Sequence, residues 1–374
     1  MADSPDVSAL QAYAGKYRKQ LVTQMVTGFK FSRDMMALYG VRENLTMPKL
    51  SVADGVRPFS SEEEFLGDEV SFTDRVLRPG KGKRELKIDA NKYFQTYLNE
   101  VVANGLEGKR PIPYEQSTWN AVVQKIRDEI NTKTAFSGFD KSDATAYSEA
   151  ATYAADDYVT YSINDITHYY KCLTATTAGQ DPEDTPAKWK RVNAEAVAKG
   201  VGTIIAEEIA ASNLSAQSIG AITSGAEALA GFKELYRSFD AVYKENGQRI
   251  VINCSHTDFE FLTDGMVEHA KYTQKDIDTR MESEMTLVVP GTGGLCLAKP
   301  ASWLGTSRRL IAGPAAKVAG SWRNTNLFFG TNIMADFNNI ETVKSELWKL
   351  KAGITFILGF QIADLEALKV GDQS

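Results

Sequence analysis

From residue 348 the apolar side chains fall on every second position: Trp348, Leu350, Ala352, Ile354, Phe356, Leu358, Phe360 and Ile362. Between them stand Lys349, Lys351, Gly353, Thr355, Ile357, Gly359 and Gln361. A period of two predicts a β-strand with one buried face. An ordinary strand runs to roughly five or six residues, so this one predicts an extended platform for other elements or other subunits. Upstream, short β-prone runs alternate with turn signals. Residues 286–289 close on Pro290-Gly291-Thr292-Gly293-Gly294, 295–298 stop at Lys299-Pro300, and 310–314 and 327–331 continue the rhythm.

Elsewhere the period lengthens to threes and fours. Leu10, Tyr13, Tyr17, Leu21, Met25 and Phe29 predict a helix over 8–39, with Ser4-Pro5 as its start signal. Residues 70–77 and 85–90 alternate on either side of a basic Pro/Gly-rich stretch and predict a β-hairpin made of those two runs. Trp119, Val122, Val123, Ile126 and Ile130 form the apolar face of a helix over 117–133. Further helices are predicted over 194–211, 226–245 and 256–266, the last capped by Ser255, with a strand over 249–253. Composition shifts at Ala135: a small, polar stretch gives way to the aromatic-rich run 158–192.

Composition narrows the function classes. Hydrophobic residues at 43% and charged residues at 24% belong to an ordinary globular chain. No apolar run approaches the roughly 18 residues of a membrane span, and the first residues lack the basic and apolar regions of a signal peptide. Cys172, Cys254 and Cys296 have neither pairing nor metal-ligand spacing and read as buried thiols. A net charge of −6 argues against a protein that coats nucleic acid.

Chemistry is sparse. His168, His256 and His269 are too scattered for a metal site. Ser255-His256-Thr257-Asp258 groups three triad residue types, but neighbours in sequence do not line up as nucleophile, base and orienter. Walker and dinucleotide-binding glycine spacings are missing. Asp336, Asn338 and Asn339 lack calcium-loop spacing, and Glu207-Glu208 and Asp156-Asp157 read as solvated faces. No enzyme, cofactor or metal is expected.

The order of "VVPG", "LAKPASWLGTS", "NLFFGTN", "ADFN" and a long strand running into "LGFQIAD" resembles the C-terminal half of tailed-bacteriophage major capsid proteins of the Hong Kong ninety-seven type. The resemblance implies an α+β fold in five parts. These are an N-terminal helical arm (1–49), an extended hairpin loop (50–92), a peripheral domain with a long spine helix and long strand (93–135 and 335–374), a small β-rich insertion (136–193) and a mixed α/β axial domain (194–334). The arm would reach along a neighbouring subunit. It also implies a structural virion protein that self-assembles into hexamers and pentamers of an icosahedral shell, formed in the host cytoplasm. That shell would enclose DNA without sequence-specific binding and would involve a portal and a separate scaffolding protein, with no membrane.

Under this resemblance Glu62, Glu63 and Glu64 become inter-subunit partners of Arg78, Lys81, Lys83, Arg84 and Lys87, setting register more than affinity. Lys81 or Lys83 with Asn338 would be the pair for a family-type crosslink. The string "YYKCLTATTAGQDPEDTPAKWKRV" is similar to the small aromatic modules of chitin-binding and virion proteins, which makes Tyr169, Tyr170 and Trp189 glycan-contact candidates. The same aromatics serve equally as the module's own core. The rival function is a carbohydrate-binding virion or cell-surface protein acting through 158–192; an enzyme with an unfamiliar site is a weaker third. The capsid reading expects assembly to tolerate Tyr169→Ala and Trp189→Ala; the binding reading expects both to abolish activity.

Overall fold

The structure, a computed structural model, describes residues 7–52, 70–89, 113–268, 272, 277, 281–282, 285–332, 339–346 and 349–373. In chain order α1 (Val7–Thr27) and a 3₁₀ turn (Lys30–Arg33) lead into β1 (Met35–Tyr39), β2 (Leu45–Val52), β3 (Val70–Leu77) and β4 (Gly80–Asp89). Helix α2 (Tyr114–Glu129) ends in a π turn (Ile130–Thr134). A small sheet follows, built from β5 (Thr145–Ala146), β6 (Tyr158–Ile163), β7 (Ile166–Cys172) and β8 (Trp189–Arg191). Next come α3 (Val201–Ala210), β9 (Ala216–Ser218), α4 (Gly225–Arg237), α5 (Ala241–Glu245), β10 (Ile250–Cys254) and α6 (His256–Glu268). The chain closes with β11 (Met281–Glu282), β12 (Thr286–Val288), β13 (Cys296–Pro300), β14 (Leu310–Val318), β15 (Ser321–Thr331), β16 (Asn339–Glu346), β17 (Lys349–Ile362) and β18 (Lys369–Asp372). The fold is α+β.

Among the described residues one mixed sheet runs β11-β12-β13-β10-β14-β15-β17-β16, with β1, β4, β9 and β18 attached to it. Its organiser is β17, the predicted platform. Leu350, Ala352, Ile354, Phe356, Leu358, Phe360 and Ile362 are all buried, in one core with the apolar faces of α1, α2 and α3. Each of the Leu, Ile and Phe side chains, removed from water, contributes about 1.5–3 kcal/mol. A second core lies under α4 and α6, where Phe232, Leu235, Leu262 and Met266 meet Ile250, Ile252 and Cys254 of the central strand. A buried ion pair joins N-terminal segment and sheet. Lys299 Nζ lies 2.8 Å from Asp34 and donates to the Arg33 carbonyl and Ser321 Oγ, both at 2.7 Å.

The small sheet stands apart from the large one, and the segments that enter and leave it are laced together. Gly200 N donates to Gly138 O at 2.8 Å, Val201 N to Ala135 O at 2.9 Å, and Phe139 N to Glu195 O at 2.9 Å. Gly138 and Gly200 are required there, since a Cβ on Gly138 would strike the Ala198 carbonyl and one on Gly200 the Phe136 carbonyl. Tyr153, Val159, Tyr170, Cys172 and Trp189 form a separate core.

Four sequence expectations need correction. The helix predicted over 8–39 ends at Thr27, because Arg127 fills the space beside Gly28 and donates to its carbonyl at 3.0 Å. Residues 35–39 are instead a strand, paired in parallel with β15. Helix α1 lies on the chain's own α2 and β16, with Leu10, Ala14, Leu21 and Met25 buried. The predicted hairpin is wrongly paired: β3 pairs with β2, while β4 pairs with β17 over Gly80–Asp89. The helices predicted over 194–211 and 226–245 each break, at Ala198–Gly200 and at Ser238–Asp240.

Candidate assembly interface

β2 and β3 form a two-stranded antiparallel ribbon, in register from Leu45 opposite Leu77 to Val52 opposite Val70. Residues directly opposed share a face, so one face carries Leu45, Met47, Lys49, Ser51, Ser71, Thr73, Arg75 and Leu77. Part of that face is turned onto the chain's own body: Leu77 is buried and Met47, Lys49 and Arg75 are half-buried, while Leu45, Ser51, Ser71 and Thr73 are exposed. At the root, the fully buried Leu77 fills a notch between Gly330 and Gly359, which are register partners on β15 and β17. A Cβ on Gly330 or Gly359 would lie 2.9 or 3.0 Å from a Leu77 methyl.

Further along the same face, Arg75 donates to Ile362 O at 2.6 Å, to Glu208 at 2.8 Å and to Gln361 at 3.2 Å. Lys49 Nζ reaches Asp364 at 2.8 Å and Glu366 at 2.7 Å. Burial alone would lower the Lys49 ammonium, but the bonds it donates to Asp364 and Glu366 hold its pKa above the ordinary value. Burial pushes the Glu208 carboxyl up; hydrogen bonds from Asn213 and Arg75 outweigh it, and the group stays below the ordinary carboxylate range.

The opposite face is apolar and uncovered. Leu50 and Phe72 stand directly across from one another and are 57% and 71% exposed, with Val70 at 51%. An amphipathic ribbon would ordinarily bury the apolar face. Here the charged face is held inward and the apolar face looks to solvent.

The sequence candidates fall around this ribbon without converging on one point. Glu62, Glu63, Glu64, Asp336 and Asn338 lie outside the described residues. Arg78 is at the β3–β4 corner, and Lys81, Lys83 and Lys87 alternate along the exposed side of β4. Arg84 faces the other way and pairs with Glu129 of α2. Lys83 bonds Glu85 at 3.1 Å. Arg78 and Lys81 also line a mixed-charge cleft of about 630 Å³ with Asp140, Lys141, Lys199, Glu207 and Glu208. Glu207 and Glu208, read as a solvated pair, hold Lys199 and Arg75 respectively.

In the insertion, Tyr170 and Trp189 are buried, and the indole N–H donates to Gln180 O at 3.0 Å. Tyr169 is half-buried and meets Phe139 edge-on at 6.3 Å, behind a Phe139–Tyr158 stack at 4.0 Å. These aromatics are the module's core, and neither Tyr170 nor Trp189 presents a ring face to solvent. Ser255 caps α6, its Oγ accepting from Asp258 N at 3.0 Å. The Asp258 carboxylate is taken up by Arg308 and Gln373, so the local Ser-His-Asp grouping is structural. Burial raises the Cys254 and Cys296 thiols well above their ordinary range. Among the described residues no His/Cys/Asp/Glu group is arranged to hold a metal ion, and no helix is long and apolar enough to cross a membrane.

Sequence reasoning missed Lys49, Arg75 and Leu77. Leu50 and Val52 on alternate positions were the available signal, obscured by Pro48 and by the distance along the chain to the partner strand.

No family model matches the chain, and no curated protein matches it. Solved structures do. The procapsid of satellite phage P4, which includes its size determination (Sid) protein, aligns at 11% identity over 95% of this chain and 90% of that one, with a TM-score of 0.45. Gordonia phage Cozz aligns at 9% identity over 92% and 85%, also at 0.45. The capsid of Myoviridae phage XM1 aligns at 11% identity over 92% and 91%, at 0.44.

Proposed function

We propose that the chain is a shell-forming structural protein of a virion, a major capsid protein of the Hong Kong ninety-seven type, acting by self-association and without catalysis. The observation that carries this reading is the ribbon with its apolar face turned outward. A two-stranded ribbon is marginally stable alone in water. One that exposes an opposed Leu50/Phe72 pair gains most when a second copy covers it. Ribbon, spine-like α2 and the long strand β17 also stand in the order the sequence resemblance implies. The exposed Lys81, Lys83 and Lys87 of β4 offer a basic stripe that suits the acidic Glu62–Glu64 run of a neighbouring copy. Hexamers and pentamers, a portal, a separate scaffolding protein, enclosed DNA and assembly in the host cytoplasm belong to this reading. So does the division of the chain into arm, loop, peripheral, inserted and axial parts.

The carbohydrate-binding alternative finds little support, since two of its three contact candidates are core residues. The test is the double variant Leu50→Ser/Phe72→Ser. It should give a folded chain with unchanged circular dichroism that no longer forms particles in light scattering. Particles of wild-type size and yield from this variant would sink the ribbon as the assembly surface.

A further inference from the structure

We infer that Lys49 and Arg75 act as an ionic latch that holds the ribbon apolar face outward in the free subunit, ready to meet a second copy. The purpose assigned to the outward face rests on the shell reading above; the latch itself does not. Leu77 fixes only the root, by filling the Gly330/Gly359 notch. Beyond the root, the fastenings to the body among the described residues are polar and lie on one face: Arg75 to Glu208, Gln361 and Ile362 O, and Lys49 to Asp364 and Glu366. Without them an amphipathic ribbon held at its root alone, by Leu77 and by the bond from Gln361 to Val76 O at 2.8 Å, would turn its Leu50/Phe72 face toward its own body.

The acceptors are held in place in advance. Asp364 N donates to Asn326 Oδ1 at 2.7 Å, and Asn326 Nδ2 to Asp364 O at 2.5 Å, so the turn after β17 is pinned from both sides to β15. Glu208 is steadied by Asn213 at 2.9 Å. Both carboxylate sites therefore wait in position for cations arriving from the ribbon. The pairs are partly exposed, with side-chain exposures of 30% for Lys49 and 15% for Arg75. Ion pairs so placed are weakened by salt. The orientation of the ribbon should accordingly be set by ionic strength, while the two cores are not.

The test uses the full chain. Amide exchange across 45–52 and 70–77 is compared for wild type, Lys49→Gln, Glu208→Gln, the pair combined, and Lys49→Arg, at low and at 1 M salt. Assembly is followed in parallel by light scattering. The latch predicts about ten-fold faster ribbon exchange in the combined variant, with β10, β13 and β14 unchanged and protection retained in Lys49→Arg. High salt should reproduce the loss in wild type and add little in the combined variant. Assembly of that variant should slow several-fold. Wild-type ribbon exchange in the combined variant overturns the latch. A wild-type chain that never assembles, yet shows the exchange pattern, overturns the shell reading and leaves the latch standing.

Discussion

Gly330 and Gly359 face one another across β15 and β17 because Leu77 occupies the volume their side chains would take. In the sequence Gly359 merely falls on the polar beat of the long alternation. Its meaning depends on a leucine far away in the chain, and no local pattern carries that. Gly359→Ala places a methyl against Leu77, Pro79 and the Arg78 carbonyl at 3.0–3.1 Å. Backbone on one side leaves little room to relax, so overpacking should cost about 1–3 kcal/mol. The thermal midpoint should fall, with the ribbon exchanging faster than the sheet. An unchanged midpoint would mean that the notch is not a constraint. Lys299 and Asp34 show the same limit to local reading. Lys299-Pro300 reads in the sequence as the stop of a run, yet Lys299 is buried because the 3₁₀ turn at Lys30–Arg33 and the start of β15 close over it.

Elements were legible where periodicity is long and self-contained. The alternation of 348–362 became β17 from Lys349 on, Trp348 lying outside the described residues, and the apolar face at 117–133 became α2 and its π turn. Pairing was not legible. The alternation at 70–77 and 85–90 is real in both runs, but their partners are β2 and β17, and hydrophobic beat alone does not distinguish partners. Breaks set by tertiary contact were equally hidden: Ala198–Gly200 is extended because Gly200 must approach Gly138 and Phe136, which no helix-stop signal announces. The insertion divides two substitutions that the sequence treated alike. Trp189→Ala removes the centre of a small core and should cost about 3–5 kcal/mol. Measured by exchange, 145–191 should open while β17 stays protected. Tyr169→Ala, half-buried on the other face, should cost far less. Equal protection of the module in both variants would contradict this assignment of its core.

At the scale of the molecule, a large sheet with two cores and a small sheet with a third account for stability, and the ribbon accounts for an apolar surface that the described residues leave exposed. Fold class and the general order of parts were readable, because a long strand and a long amphipathic helix announce themselves. The candidate site was only partly readable. Basic residues of β4 were visible in composition, whereas the outward Leu50/Phe72 pair depends on which strand β3 joins. The central claim is that this outward face brings copies together. The most direct test is the particle size of the purified chain across concentration, by light scattering with negative-stain microscopy. Rings of five or six, or closed shells tens of nanometres across in the roughly standard manner of obligate assemblies, are the predicted result. A monodisperse monomer at every concentration and ionic strength would contradict the account.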